Sequence, residues 1–178
     1  MAQTYTISTY SQLGSNKTML AIFNGAGSGR VIRVYKVWTI HNPLLAVTST
    51  LTVLNLERLS NVTGGNSLTS SVDRHDTTSE SISSISQITI TDSSTITASS
   101  TIRQIVWSAN TPASIGAQNT IGELQSIYSL MRVFEAGYYN ANLEPLVLRE
   151  GEGIGIRQPG ANTNGFIESI IEFTMSNS

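Results

Sequence analysis

Apolar residues recur at every second position through much of this chain, and the pattern is cleanest near its end. Leu146-Val-Leu-Arg-Glu-Gly-Glu-Gly-Ile-Gly-Ile-Arg157 leads into a Pro/Gly/Asn loop, Gln158–Gly165. A run follows in which Ile167, Ile171 and Phe173 alternate with Glu168, Ile170 and Glu172. Period two with polar residues interleaved marks half-buried strands. Gly151 and Gly153 supply the positive φ of a tight reversal between the first two runs. The pattern predicts a three-stranded C-terminal meander, whose apolar face the rest of the chain must cover.

Earlier strands are predicted at Thr4–Thr9, Lys17–Asn24 and Arg30–Asn42, with Gly25-Ala-Gly-Ser-Gly29 breaking the second from the third. In Arg30–Asn42, Ile32, Val34, Trp38 and Ile40 share one face with Lys36, while Val31, Arg33, Tyr35, Val37 and Thr39 take the other. Neither face is purely polar, which predicts a central strand partly covered on both sides. Asn42-Pro43 marks a turn before Ala46–Leu59, where the apolar phase moves from Val47, Leu51 and Val53 to Leu54 and Leu56. A one-residue phase change predicts a β-bulge. Ser60–Asn66 reads as a loop, and Ser67–Thr101 is mostly Ser and Thr. Within it Asp73–Ser81 predicts an exposed loop and Ile82–Ile96 a strand. Thr101–Ser108 is a further strand.

Thr120-Ile-Gly-Glu123 resembles a capping box, with Ile121, Leu124, Ile127, Tyr128 and Met131 at helical spacing. It is the one candidate helix; Ser129–Ala136 fits a strand better. About eight strands separated by Gly/Pro/Asn/Ser loops predict an all-β sandwich. A jelly roll is favoured over an immunoglobulin-like fold because the chain has no Cys. The division expected is an N-terminal arm or edge strand over 1–15 and a single sandwich over 16–178.

Composition narrows the chemistry. Without cysteine there is no disulfide, zinc–thiolate site or thiol nucleophile. A net charge of −2 argues against nucleic-acid or anionic-membrane partners. No apolar run of ~18 residues is present for a membrane helix, and Met-Ala-Gln-Thr-Tyr-Thr-Ile lacks the marks of a secretion signal. Charged residues make up 12% of the chain, about half the usual share. So few charges leave strand edges unguarded, which suggests that other subunits cover them.

Four groups invite a chemical role. Gly25–Gly29 follows a strand but lacks the G-x-G-x-x-G spacing, a Gly-Lys-Ser/Thr and a following helix, so a hairpin loop is expected rather than a phosphate site. Asp73-Arg-His-Asp76 is the densest polar cluster, but His41 and His75 are the only histidines, too few for a multi-His metal site. Because His75 lies in the least apolar stretch, a solvated loop is expected there rather than the pocket that a Ser-His-Asp site needs. Glu150 and Glu152 have glycosidase-like proximity, but their turn promises solvent rather than the burial that raises an acid's pKa. Arg30, Arg33, Tyr35, Lys36 and Trp38 interleave base and aromatic as single-strand nucleic-acid sheets do, yet they divide between two faces. No catalytic residue, cofactor site or metal site is expected.

Assembly is the better prospect. Gly153 and Gly155 strip one strand face of side chains, which suits either a bend or the close approach of another chain. Tyr5, Ile7 and Tyr10 are spaced to dock a polar N-terminal arm on a neighbour. A cyclic homo-oligomer is expected, with these five residues at its contacts.

Met19-Leu-Ala-Ile-Phe-Asn-Gly-Ala-Gly-Ser-Gly-Arg-Val-Ile-Arg-Val-Tyr-Lys-Val-Trp38, Ile105-Val-Trp107, Glu144-Pro-Leu-Val-Leu-Arg-Glu-Gly-Glu-Gly-Ile-Gly-Ile156 and Ile167-Glu-Ser-Ile-Ile-Glu-Phe-Thr174 resemble small structural proteins of tailed-bacteriophage virions, the head decoration or cement proteins. The resemblance spans most of the chain and is weakest over Asn61–Ser100. It implies a non-enzymatic β-sandwich subunit, a trimer assembled in the host cytoplasm and bound to the major capsid protein on the outer capsid surface. The other expectations for such a chain are a carbohydrate- or receptor-binding module of a head or tail fibre, or a minor tail or neck component.

Overall fold

A computed structural model describes residues 3–41, 50–109, 130–137, 142–161 and 165–178. The described residues form twelve strands: β1 (Gln3–Gln12), β2 (Lys17–Asn24), β3 (Arg30–His41), β4 (Thr50–Thr63), β5 (Asn66–Ser67), β6 (Asp73–Arg74), β7 (Ile88–Asp92), β8 (Thr95–Ala109), β9 (Leu130–Glu135), β10 (Leu146–Leu148), β11 (Glu152–Gln158) and β12 (Phe166–Asn177). Two 3₁₀ turns, Thr69–Ser71 and Ile82–Ser84, are the only helical segments among them. The capping-box stretch over 120–129 lies outside the described residues, whereas 130–135 is the strand that its composition favoured.

The strands form two antiparallel sheets. Sheet A runs β10-β3-β12-β1-β6, with β9 also on β3; sheet B runs β5-β7-β2-β11-β4-β8. β9 pairs with Lys36–Ile40 and β10 with Ile32–Val34, so together they fill one edge of β3 opposite β12. Without the shortest strands, β9-β3-β12-β1 faces β2-β11-β4-β8. First strand lies beside last, and successive strands cross between sheets except β4 and β8, which pair directly. That is the jelly-roll order.

The C-terminal third is therefore not a meander. β10 and β12 belong to sheet A, while β11 lies between β2 and β4 of sheet B. Gly151, at φ +79°, turns the chain from one sheet to the other rather than into a hairpin. Local alternation located these strands but carried no record of their distant partners.

Inward residues of both sheets form one core, with Tyr5, Ile7, Ile32, Val34, Ile171 and Phe173 from sheet A meeting Leu20, Ile22, Leu54, Leu56, Ile154 and Ile156 from sheet B. The Tyr5 and Phe173 rings stack at 5.4 Å. β3 changes phase within the sheet. Its register against β12 shifts between Glu172 and Phe173, where Tyr35 is the extra residue. Ile32 and Val34 therefore point inward on one side of the bulge, Val37 and Thr39 on the other. This corrects the single face expected for Ile32, Val34, Trp38 and Ile40. The bulge expected in Ala46–Leu59 is not found in the described part of that range: β4 keeps unbroken register with β11 from Asn55 to Leu59, and against β8 the extra residues are Ile102 and Ser99 on β8 and, just past the expected range, Ser60 on β4.

Residues 64–94 are an insertion between β4 and β8. β6 extends sheet A beyond β1, and β7 with β5 extends sheet B beyond β2. Ile82, Ile85, Ile88 and Ile90 join the core, so this Ser/Thr-rich stretch covers strand edges that would otherwise be open.

Candidate functional site

The glycine-rich loop and Glu150 prove to be halves of one feature. Gly27 and Gly29 take positive φ, and their N–H groups donate to the two oxygens of Glu150 at 3.0 and 2.8 Å. Successive backbone N–H groups around a concavity make an anion nest, and here the anion is the chain's own carboxylate. The bond from Gly27, then that from Gly29, holds the Glu150 carboxyl below its ordinary value. A glycosidase acid needs the opposite shift. Glu152 accepts the Arg149 N–H at 2.8 Å and faces Arg58.

The Asp73–Asp76 cluster is tied down piece by piece. β6 pairs with Tyr5 and Thr6 of β1, and His75 Nε2 lies 2.7 Å from the Thr6 hydroxyl. Asp76 accepts from the Thr78 N–H and hydroxyl at 2.8 and 2.7 Å, which lowers its pKa. Glu80, just beyond, meets Arg30 at 2.6 Å, and its carbonyl accepts the Tyr5 hydroxyl at 2.9 Å. Burial is the main cause of a raised Tyr5 pKa, with Glu80 next. Ser79 is also buried. The expected exposed loop over Asp73–Ser81 is thus a clamp at its C-terminal end.

Tyr5 and Ile7 are fully buried in the core of their own chain, and Gln3–Gln12 is an integral strand with only β6 at its outer edge. The expected arm is corrected accordingly, since side chains committed to the core cannot dock on a neighbour. Tyr10, 43% exposed, is the one of the three that faces out. Gly153 and Gly155 point away from the core, but their own chain covers them. A Cβ on Gly153 would stand 2.6 Å from the Ile22 carbonyl oxygen, and one on Gly155 3.2 Å from Leu59 and 3.6 Å from Ile96. Leu59 and Ile96 belong to the β4–β8 ribbon, whose register shifts three times, with extra residues at Ile102 and Ser99 on β8 and at Ser60 on β4. Beside the glycine face Glu57, 1% exposed, meets Arg157 at 2.6 Å.

Pattern reading overlooked the outer face of sheet A. Trp38 and Ile40 on β3, Ile170 and Phe166 on β12, and Tyr10 on β1 form a half-buried stripe across it. Tyr10 and Phe166 stack at 4.9 Å. Lys36 lies 5.2 Å from the Trp38 ring centroid and 3.1 Å from Glu172. Trp38 donates to Glu135, which also pairs with Arg132. Arg30, Arg33 and Lys36 bond to Glu80, Ser176 and Glu172 respectively, so this strand offers no row of free cations to a nucleic-acid backbone. The signal was available, because Phe166 and Ile170 share parity with Glu168 and Glu172.

Compared with family models, with curated proteins and with solved structures, the chain matches none. No helix among the described residues is long and apolar enough to cross a membrane.

Proposed function

We propose that this chain is a non-enzymatic structural protein of a tailed-bacteriophage virion, a decoration or cement protein that binds the outer capsid surface as a homotrimer. The observation that supports it best is the outer face of sheet A. An aromatic and aliphatic stripe, crossed by Glu168 between Ile40 and Tyr10 and flanked by charge pairs, has the mixed apolar and polar anatomy of a protein-binding patch. The resemblance supplies the partner, the major capsid protein. Each subunit lays this face across neighbouring capsid subunits, buries the stripe and opposes their separation as packaged DNA presses outward. Individual contacts can be weak, because a trimer engages several at once.

The test is co-sedimentation of the purified protein with expanded capsids, alongside light scattering and a mass-spectrometric inventory of particles. Wild type is expected to scatter as a trimer and pellet with capsids, and Ile170→Glu to stay in the supernatant while remaining folded. A wild-type protein that is monomeric at high concentration and also fails to pellet would overturn the proposal.

A further inference from the structure

A cleft of about 620 Å³ opens where the 75–79 loop faces the ends of β1, β3 and β12. The volume falls within the ~300–1,000 Å³ typical of small-molecule sites. Its polar groups are neither random nor mobile. The loop is pinned by the His75 N–H to the Thr4 carbonyl at 3.0 Å, and by Arg74 to the Ser79 carbonyl at 2.8 Å. His75 is oriented through Nε2 by Thr6, and Asp76 through Oδ1 by Thr78. Groups held in place in this way lose little freedom when a ligand arrives.

What remains unbonded defines the ligand. Arg30 is ion-paired with Glu80 and also bonds the Asn177 side-chain oxygen, so the cleft has no unpaired cation for an anion. Asp76 is the single carboxylate among the lining residues, too few for a divalent cation. Asp76 Oδ2, His75 Nδ1, Asn177 Nδ2 and the Thr4 hydroxyl bond to nothing else among the described residues, and the Ser176 hydroxyl, which accepts from Arg33, keeps its proton to donate. The cleft thus offers both donors and acceptors beside a buried Met175. Vicinal hydroxyls, each both donor and acceptor, complement such a set; a charged or purely apolar molecule does not.

We propose that this cleft binds a neutral polyhydroxylated ligand, one or two hexose units of a polysaccharide. No Trp, Tyr or Phe side chain lines it as a stacking platform, so affinity per site is on the order of millimolar. This inference is independent of the virion assignment.

The test is ligand-observed saturation-transfer NMR on the full chain, with the methyl glycosides of glucose, galactose, mannose and N-acetylglucosamine as probes and inorganic phosphate as a competitor. At least one glycoside is expected to show saturable transfer that phosphate does not displace. Asp76→Asn keeps the oxygen bonded to Thr78 but turns the free acceptor into a donor, and should weaken binding about tenfold or more; Tyr10→Ala, on the outer face of sheet A, should leave it unchanged. Absence of transfer from all four probes, displacement by phosphate, or transfer that survives Asp76→Asn in a variant melting like wild type would each overturn the proposal.

Discussion

The outer faces of the two sheets solve one problem in opposite ways. A sandwich has two outer surfaces, and in so weakly charged a chain neither is guarded by Lys and Glu alone. On sheet B the chain covers itself: Gly153 and Gly155 remove side chains from β11, and Leu59 and Ile96 of the bulged β4–β8 ribbon close over the gap. On sheet A the stripe from Trp38 to Tyr10 has nothing from the described residues laid across it. Glycine, rather than charge, marks the face that is already occupied. The open face is where a partner has room.

Phe173→Ala sets the scale, since its ring belongs to the core that both sheets share. Removing it should cost about 3–5 kcal/mol, measured by urea denaturation. A loss below about 1 kcal/mol would mean that the Tyr5–Phe173 stack is not part of a packed core. Trp107, the other large aromatic of a regular strand, has its side chain outside the described residues.

Gly153→Ala tests the covered face directly. Its Cβ would press on the Ile22 carbonyl and on Phe23, and backbone cannot swing aside. Overpacking of this kind costs about 1–3 kcal/mol. Gly155→Ala should cost clearly less, because its nearest neighbour is the end of the Leu59 side chain, at 3.2 Å, rather than backbone. Equal effects, or an effect on oligomer state without one on stability, would show that another subunit rather than the β4–β8 ribbon occupies this face.

Ile170→Ala probes the open face. Ile170 is half-buried beside Trp38, so folding stability should stay within about 1 kcal/mol of wild type. Capsid binding should fall all the same. A larger loss of stability would mean that the stripe is structural, and the contrast between the faces would fail.

How much of this was legible in the sequence depended on range. β2 was read to the residue and β3 to within one, because alternation and the Gly25–Gly29 break are local. The sandwich followed from strand number and spacing, and the preference for a jelly roll from the absence of cysteine. The pairing of β10 with β3 and of β11 with β2 was hidden, since both turn on contacts more than a hundred residues apart. The Tyr35 bulge left no compositional mark, so Lys36, Trp38 and Ile40 were grouped on one face with Ile32 and Val34. Asp73–Asp76 stood out as polar, but the opposite wall of its cleft comes from the two ends of the chain.

The smallest expected effect concerns the latch between Gly27, Gly29 and Glu150, which ties the β2–β3 loop to the turn between the two sheets. Its carboxylate is bound only in the folded state, so folding lowers its pKa. A group lowered on folding stabilises fully above its unfolded value, and that stabilisation is lost as pH falls through the folded value. Thermal melts of wild type should therefore decline as pH drops through and below the usual carboxylate range. Asp76 is shifted in the same direction, so wild type alone would not isolate the latch. Glu150→Gln keeps one acceptor oxygen but does not titrate; it should melt slightly lower at neutral pH and converge with wild type in acid. Parallel profiles for the two proteins across that window would show that the Gly25–Gly29 loop holds its shape without the carboxylate, through the Asn24 bonds to the Arg30 and Leu148 carbonyls instead.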